Sequence, residues 1–329
     1  MTFGVQRSRP LVLVDAAIHD EPFAALDQVA EVLRYGDERE FHRLVADRGP
    51  EVVGLGVLLT TEVDEHLLGQ LPSLRIVASY SVGVDNVDLA AVQARGVIVT
   101  NTPDVLTEAT ADLTWALILA VARRMREGEA AVRERLWRDW HPRFLLGLEL
   151  SGATLAILGL GRIGAAVARR ALGFGMRLVY WSRSAKPDLE RALGIRRLEL
   201  DAALATADVV SIHLPLTAET HHLIDADRLA RFKPGAILVN TARGPIVDEA
   251  ALADALERGH LAGAGLDVYE EEPRIHPRLL AHPRTVLLPH LGSATVAART
   301  AMARLVAENL RAVLEGRPPL TPVALQTKL

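Results

Sequence analysis

Short apolar runs of strand length alternate with stretches of helical period along nearly the whole chain, and this alternation constrains the fold more than any other feature. The runs Leu11–Asp15, Val52–Leu59, Arg75–Ser81 and Val97–Asn101 read as one strand series. Thr154–Leu158, Arg177–Trp181, Val209–Leu214, Ala236–Asn240, Gly263–Val268 and Val286–Leu288 read as a second. Each but the last of the second series is followed by a polar turn or helix pattern, so parallel strands joined by crossovers are predicted, in two doubly wound α/β sheets. The length of 329 residues also favours two domains. A helix is predicted from Val105 to about Arg135, free of Pro and Gly except Gly128, bridging the domains. A last helix, Ala294–Glu315, ends at Gly316, Pro318 and Pro319 and is expected to pack back on the first domain.

Composition removes several function classes. With 50% apolar residues the chain can bury a sizeable core, and with no Cys it has no disulfide, thiolate nucleophile or Cys-ligated metal. Lys and Arg total 37 against 41 Asp and Glu, a net charge of −4 without a basic stripe, so nucleic acid is not an expected partner. The run Leu11–Val14, broken by Asp15, is too short for a signal-peptide core. Trp115–Ala122, the longest apolar run elsewhere, falls well short of a bilayer span. A cytoplasmic protein that does not bind membranes is therefore expected. His221-His222 lacks helical zinc spacing, and no metal site is predicted.

Between the apolar strand Leu155–Leu158 and a helical stretch lies Gly159-Leu160-Gly161-Arg162-Ile163-Gly164, the pattern G-x-G-x-x-G. Its glycines suit a tight turn, backbone approach to a pyrophosphate and close helix–strand packing, while the helix N-terminus attracts the anion. The pairs Gly54/Gly56 and Gly263/Gly265 lack the third glycine and read as strand glycines approached by another segment. Where an acidic residue would bind the adenosine ribose, the chain has Trp181-Ser182-Arg183-Ser184-Ala185-Lys186. No carboxylate is there to repel a 2′-phosphate, so NADP(H) is the preferred cofactor expected at Ser182, Arg183 and Ser184, with NAD possible. The bland alternative is a solvated turn that accepts either cofactor.

In the second half, polar residues follow apolar strands at Arg243, Glu272 and His290, the edge where open parallel sheets bind ligands. Reduction of a 2-oxo acid requires a cation for the carboxylate and carbonyl, a proton donor, and a group that keeps the donor protonated. Arg, His and Glu supply these. Taken singly, Arg243 also suits a salt bridge and His290 a structural loop; Glu270 and Glu271 are expected to face solvent. His213, His221, His222 and His282 have no comparable setting.

With Ser81-Val82-Gly83-Val84-Asp85-Asn86-Val87-Asp88 and Asn101-Thr102-Pro103-Asp104-Val105-Leu106-Thr107, these motifs resemble the D-isomer-specific 2-hydroxyacid dehydrogenase family, and within it the glyoxylate/hydroxypyruvate reductases. The resemblance covers nearly the whole chain. It implies a flavodoxin-like substrate domain, residues 1–101 plus 295–329, split around an inserted Rossmann domain, residues 102–294, with the reaction in the cleft. It also implies that Arg243, Glu272 and His290 are the catalytic trio, that the Val82, Gly83 and Val84 backbone holds the substrate carboxylate, and that Asp267 orients the nicotinamide. Thr107, Arg162, Ile163, Leu214, Thr241, Ala242, His290 and Ser293 fall on cofactor-contacting positions.

Trp137-Arg138-Asp139-Trp140-His141-Pro142 resembles the tryptophan loop that reaches into the neighbouring active site, implying a homodimer through the Rossmann domains with Trp140 of the partner subunit near the substrate. The plainer alternative is interface burial by Trp137 and Trp140. Formate dehydrogenases of the superfamily carry Gln where Glu272 stands, and phosphite dehydrogenases a Lys near Gly83, so neither activity is implied. The expected reaction is reduction of glyoxylate to glycolate or hydroxypyruvate to D-glycerate. A reductase of 2-ketogluconate or another bulkier 2-oxo acid is the alternative, and a dinucleotide-sensing corepressor-like binding protein the distant one.

Overall fold

The computed structural model describes residues 9–324. Residues 1–8 and 325–329, which complete the two predicted pieces of the substrate domain, lie outside the described residues. The chain divides into two compact units: residues up to Leu106 with those from Ala294 on, and Thr107–Ser293.

The first unit holds the parallel strands β1 (Leu11–Asp15), β2 (Glu31–Tyr35), β3 (Val52–Val57), β4 (Ile76–Ser79) and β5 (Ile98–Thr100), in the order β2-β1-β3-β4-β5. This is the flavodoxin-like doubly wound order. Strand β2 was not predicted, because it is an edge strand whose Glu31-Val-Leu-Arg34 stretch is only half-buried. The C-terminal helix, Val296–Leu314, begins two residues later than predicted, where Thr295 accepts a hydrogen bond from the Ala298 N–H at 3.1 Å. It lies on β3 because glycines let it approach. A methyl at Gly54 would sit 3.0 Å from Leu310, and one at Gly56 would sit 3.4 Å from Val306.

The second unit holds β6 (Thr154–Leu158), β7 (Arg177–Trp181), β8 (Arg196–Arg197), β9 (Val209–Ile212), β10 (Ile237–Asn240), β11 (Gly263–Leu266) and β12 (Thr285–Leu287). All are parallel, in the order β12-β11-β10-β9-β6-β7-β8. The order reverses between β6 and β9, the Rossmann arrangement, and opens a crevice at their carboxyl ends. Strands β6, β9, β10 and β11 are buried throughout, which is why their continuous apolar runs were readable. Strand β8, two exposed arginines, carries no such signal.

The helix predicted from Val105 to Arg135 is two helices, Thr107–Ala122 and Met125–Arg133. Between them Arg124 turns left-handed, at φ 53°. A tertiary contact ends the first helix: the Leu148 N–H takes the Ala122 carbonyl at 2.8 Å, and a methyl at Gly147 would meet that same oxygen at 2.2 Å. The first helix packs on β11 through Val121 and Leu117, which a methyl on Gly263 or Gly265 would meet at 2.8 and 3.1 Å. Both glycine pairs are thus the strand glycines the sequence suggested. Among the described residues no helix is long and apolar enough to cross a membrane.

Candidate active site

The glycine loop follows β6 at the switch point. Gly159 adopts φ 97°, a conformation costly for other residues, and its N–H donates to the Trp181 carbonyl at 2.8 Å. Its α-carbon is hemmed in by the chain just after β9: a methyl there would lie 2.5 Å from the His213 oxygen and 3.0 Å from Leu214. Gly164 abuts the loop, since a methyl on it would meet the Gly159 oxygen at 2.2 Å. A methyl at Gly161 would meet nothing within 4 Å, and no side chain caps the helix that starts at Arg162 and Ile163. Open space over an uncapped helix N-terminus fits a dinucleotide pyrophosphate.

At the end of β7, Ser182 is buried and its hydroxyl donates to the Ser184 carbonyl at 2.6 Å, closing the turn. Arg183 and Ser184 are exposed. Arg197 of β8 reaches across and donates from Nη2 to the carbonyls of Ser182 and Arg183, at 3.0 and 3.2 Å. On β9 and just beyond it, Ser211 Oγ lies 2.8 Å from His213 Nε2, and burial pushes the His213 imidazole down to about 3, so it stays neutral.

Arg243, Glu272 and His290 follow β10, β11 and β12. His290 Nδ1 lies 2.7 Å from Glu272 Oε2, while Glu272 Oε1 accepts the Tyr269 N–H at 3.1 Å. Burial alone would raise the Glu272 carboxyl, but the hydrogen bond and charge of His290, the Tyr269 N–H and the charge of Arg243 outweigh it and hold the group below its ordinary value. An ionised carboxylate only accepts, so Nδ1 carries the proton in this pair. Nε2 is then the nitrogen left to exchange a proton with a ligand.

Arg243 emerges from a tight turn in which Asn240 donates to the Arg243 carbonyl at 2.9 Å and accepts from the Ala242 N–H at 3.0 Å. Gly244 brings this turn against the Glu272 loop, since a methyl there would lie 1.8 Å from the Tyr269 carbonyl carbon.

Asp267 is buried. Its two carboxylate oxygens accept the N–H groups of Leu291 and Gly292 at 2.7 and 2.8 Å, clamping the loop in which His290 takes φ 53°. Burial raises its carboxyl, against those bonds and the His290 charge. Thr110 donates to the Gly292 carbonyl at 3.1 Å, beside half-buried Ser293, and Thr241 pairs with Thr114 at 2.9 Å, so the helix opened by Thr107 ties two of the loops together. Buried Glu249 accepts the N–H groups of Glu270 and His276 at 3.0 and 3.2 Å and fastens the Glu272 loop from below. Sequence reasoning missed Asn240, Gly244, Glu249, Thr110 and Thr114, although Asn240, Gly244 and Glu249 stand in the same string as Arg243.

Two expectations are corrected. Glu270 does not face solvent; it bonds His222 Nε2, so His222 has a carboxylate partner after all. The cause is a chain crossing: the His222 N–H donates to the Pro245 carbonyl at 2.7 Å, which brings the loop after β9 beside the Glu272 loop. Glu271 does point outward, toward Arg274. Trp137 and Trp140 are 53% and 79% exposed, in a mixed polar and apolar segment that also exposes Leu136, Phe144 and Leu146.

In the first unit, Asn101 donates to the Val82 carbonyl at 2.8 Å and Ser81 Oγ donates to the Gly83 carbonyl. Across a trans peptide the N–H points opposite to the carbonyl, so the N–H groups of Gly83 and Val84 turn away from these anchors. Among the described residues neither N–H has an acceptor. Consecutive outward N–H groups form an anion-binding concavity.

The Rossmann sheet, its glycine loop and the Arg–Glu–His group at the same sheet edge define a nicotinamide-dinucleotide oxidoreductase. Residues 115–292 match the family model described as D-isomer specific 2-hydroxyacid dehydrogenase, NAD binding domain. The chain is 47% identical over 320 residues to glyoxylate reductase of Thermococcus kodakarensis, covering 96% of each chain. It superposes on a glyoxylate reductase from Paecilomyes thermophila with a TM-score of 0.89 at 35% identity, covering 98% of this chain and 100% of that one. An NADPH-dependent glyoxylate/hydroxypyruvate reductase from Sinorhizobium meliloti, solved with NADP and malonate, gives 0.87 at 38% identity and the same coverage. The chain belongs to the D-isomer specific 2-hydroxyacid dehydrogenase family and is an NAD(P)-dependent oxidoreductase.

Proposed function

We propose that the protein is an NADPH-preferring reductase of small 2-oxo acids, converting glyoxylate to glycolate and hydroxypyruvate to D-glycerate in the cytoplasm. The observation that carries the reading is the 2.7 Å His290–Glu272 pair at the sheet edge that also holds Arg243. The first unit acts as the substrate domain and the second as the nucleotide domain. The outward N–H groups of Gly83 and Val84, in the loop begun by Val82, bind the substrate carboxylate.

The bound nicotinamide supplies the hydride. Arg243 orients the 2-oxo acid through its planar guanidinium and draws electron density toward the carbonyl oxygen. His290 gives the proton from Nε2 to the developing alkoxide. Glu272, held ionised, stabilises the imidazolium before transfer and fixes the ring through Nδ1. Asp267 serves the nicotinamide end by holding the His290 loop through the Leu291 and Gly292 N–H groups. The residues of the glycine loop, with Leu214, Thr241 and Ala242, line the nucleotide.

The exposed apolar side chains Leu136, Trp137, Trp140, Phe144 and Leu146 support a homodimer through the nucleotide domains. In that dimer Trp140 of the partner subunit borders the substrate. The test is the initial rate of NADPH and NADH oxidation with glyoxylate, hydroxypyruvate, pyruvate and 2-ketogluconate at matched concentrations. Fast NADPH oxidation with the first two is expected. Preference for 2-ketogluconate would move the assignment to a bulkier acid, and preference for NADH would refute the phosphate-pocket reading while sparing the catalytic one.

A further inference from the structure

We propose that Arg197, on the short edge strand β8, is a specificity-determining residue that completes the pocket for the cofactor's 2′-phosphate. The inference rests on the NADPH preference proposed above and names a member of that site which the glycine-loop motif and the Ser182–Ser184 turn do not contain.

The turn after β7 offers two hydroxyls, and that of Ser182 is committed: its Oγ donates to the Ser184 carbonyl at 2.6 Å, which leaves the exposed Ser184 hydroxyl. One neutral hydroxyl does not balance a phosphate dianion, so cations carry most of the recognition. Arg183 is one of them, exposed on the turn.

Arg197 is placed differently. Strand pairing sets it opposite Tyr180, two residues before Ser182, and its Nη2 donates to the Ser182 and Arg183 carbonyls at 3.0 and 3.2 Å. These bonds hold one nitrogen of the guanidinium at the turn and leave Nε and Nη1 as donors. Among the described residues no carboxylate pairs with Arg197. A guanidinium anchored at one corner, with no carboxylate partner among the described residues, is preorganised for bidentate binding of phosphate. A cofactor with a free 2′-hydroxyl gives it nothing comparable to bind.

The experiment uses the full chain and measures binding of 2′,5′-ADP and of 5′-AMP by titration calorimetry, for the wild type and for Arg197→Gln, Arg197→Lys and Arg183→Gln. Arg197→Gln is expected to weaken 2′,5′-ADP by about 10- to 100-fold, the worth of a charge-assisted hydrogen bond, and 5′-AMP by less than about twofold. Arg197→Lys, which keeps the charge but not the fork, should fall between. Equal weakening of both nucleotides by Arg197→Gln would show that Arg197 only shapes the turn and would overturn the proposal. Unchanged 2′,5′-ADP binding in Arg197→Gln beside a loss in Arg183→Gln would overturn it and leave the NADPH reading intact. A wild type that binds both nucleotides equally would overturn the NADPH reading, and this proposal with it.

Discussion

Gly244→Ala tests whether the Arg243 turn and the Glu272 loop work as one piece. The added methyl would stand 1.8 Å from the Tyr269 carbonyl carbon and 1.9 Å from its oxygen, against the 3.4 Å at which ordinary contact begins. The shortfall is about 1.6 Å, and both neighbours are backbone, so no side-chain rotation relieves it. The two loops must separate. A misplacement of about 1 Å in a positioned catalytic group can cost about 100-fold in rate, so kcat for hydroxypyruvate should fall by that factor or more.

The same overpacking should cost about 1–3 kcal/mol of stability, a loss of several degrees in Tm for a unit of this size. The glycine loop lies on β6, away from this contact, so 2′,5′-ADP should bind as in the wild type. The assay pairs steady-state kinetics with that titration and a thermal melt. Turnover within about threefold of wild type would refute the reasoning, because it would mean the two loops tolerate relative displacement without loss of catalysis.

Two further outcomes follow from other contacts. His290→Gln should lower reduction by about 100- to 10,000-fold with nucleotide binding retained, and full turnover would show that His290 is not the acid. Asp208 accepts the Thr154 N–H at 2.8 Å and pairs with Lys233; burial opposes ionisation, but these partners hold its carboxyl below the ordinary value. The contribution of a group lowered in this way is present above the ordinary carboxylate range and is lost as pH falls through the folded value. Asp208→Asn should therefore melt several degrees lower than wild type at neutral pH, with the gap closing in acid; a gap that stays constant with pH would contradict the assignment.

The sheets were legible where burial is uniform. Strands β6, β9 and β10 are apolar at nearly every position because helices cover both faces, and such runs need no partner to be recognised. Edge strands lack that signature. β2 carries Glu31 and Arg34, and β8 is only Arg196 and Arg197, so each exists through pairing with a neighbour distant in sequence. The break after Ala122 had no Gly or Pro to mark it. It depends on Leu148 reaching back to the Ala122 carbonyl, a contact that no local window contains.

The same division runs through the site, and the acidic run Glu270-Glu271-Glu272 shows why. Chemically the three are identical, yet Glu270 meets His222, Glu271 meets Arg274 at the surface, and Glu272 meets His290. Their direction is set by the backbone of the turn. The Glu270 N–H is held by buried Glu249, and the Tyr269 N–H by Glu272 itself, while the Tyr269 hydroxyl donates to the Leu288 carbonyl at 2.8 Å just ahead of His290. A residue type at a strand end announces what chemistry is available there. Which of the three carboxylates reaches His290 is decided by the bonds of Glu249 and Tyr269 and by the close approach at Gly244, so the proposed acid pair depends as much on Glu249, Tyr269 and Gly244 as on the side chains they hold.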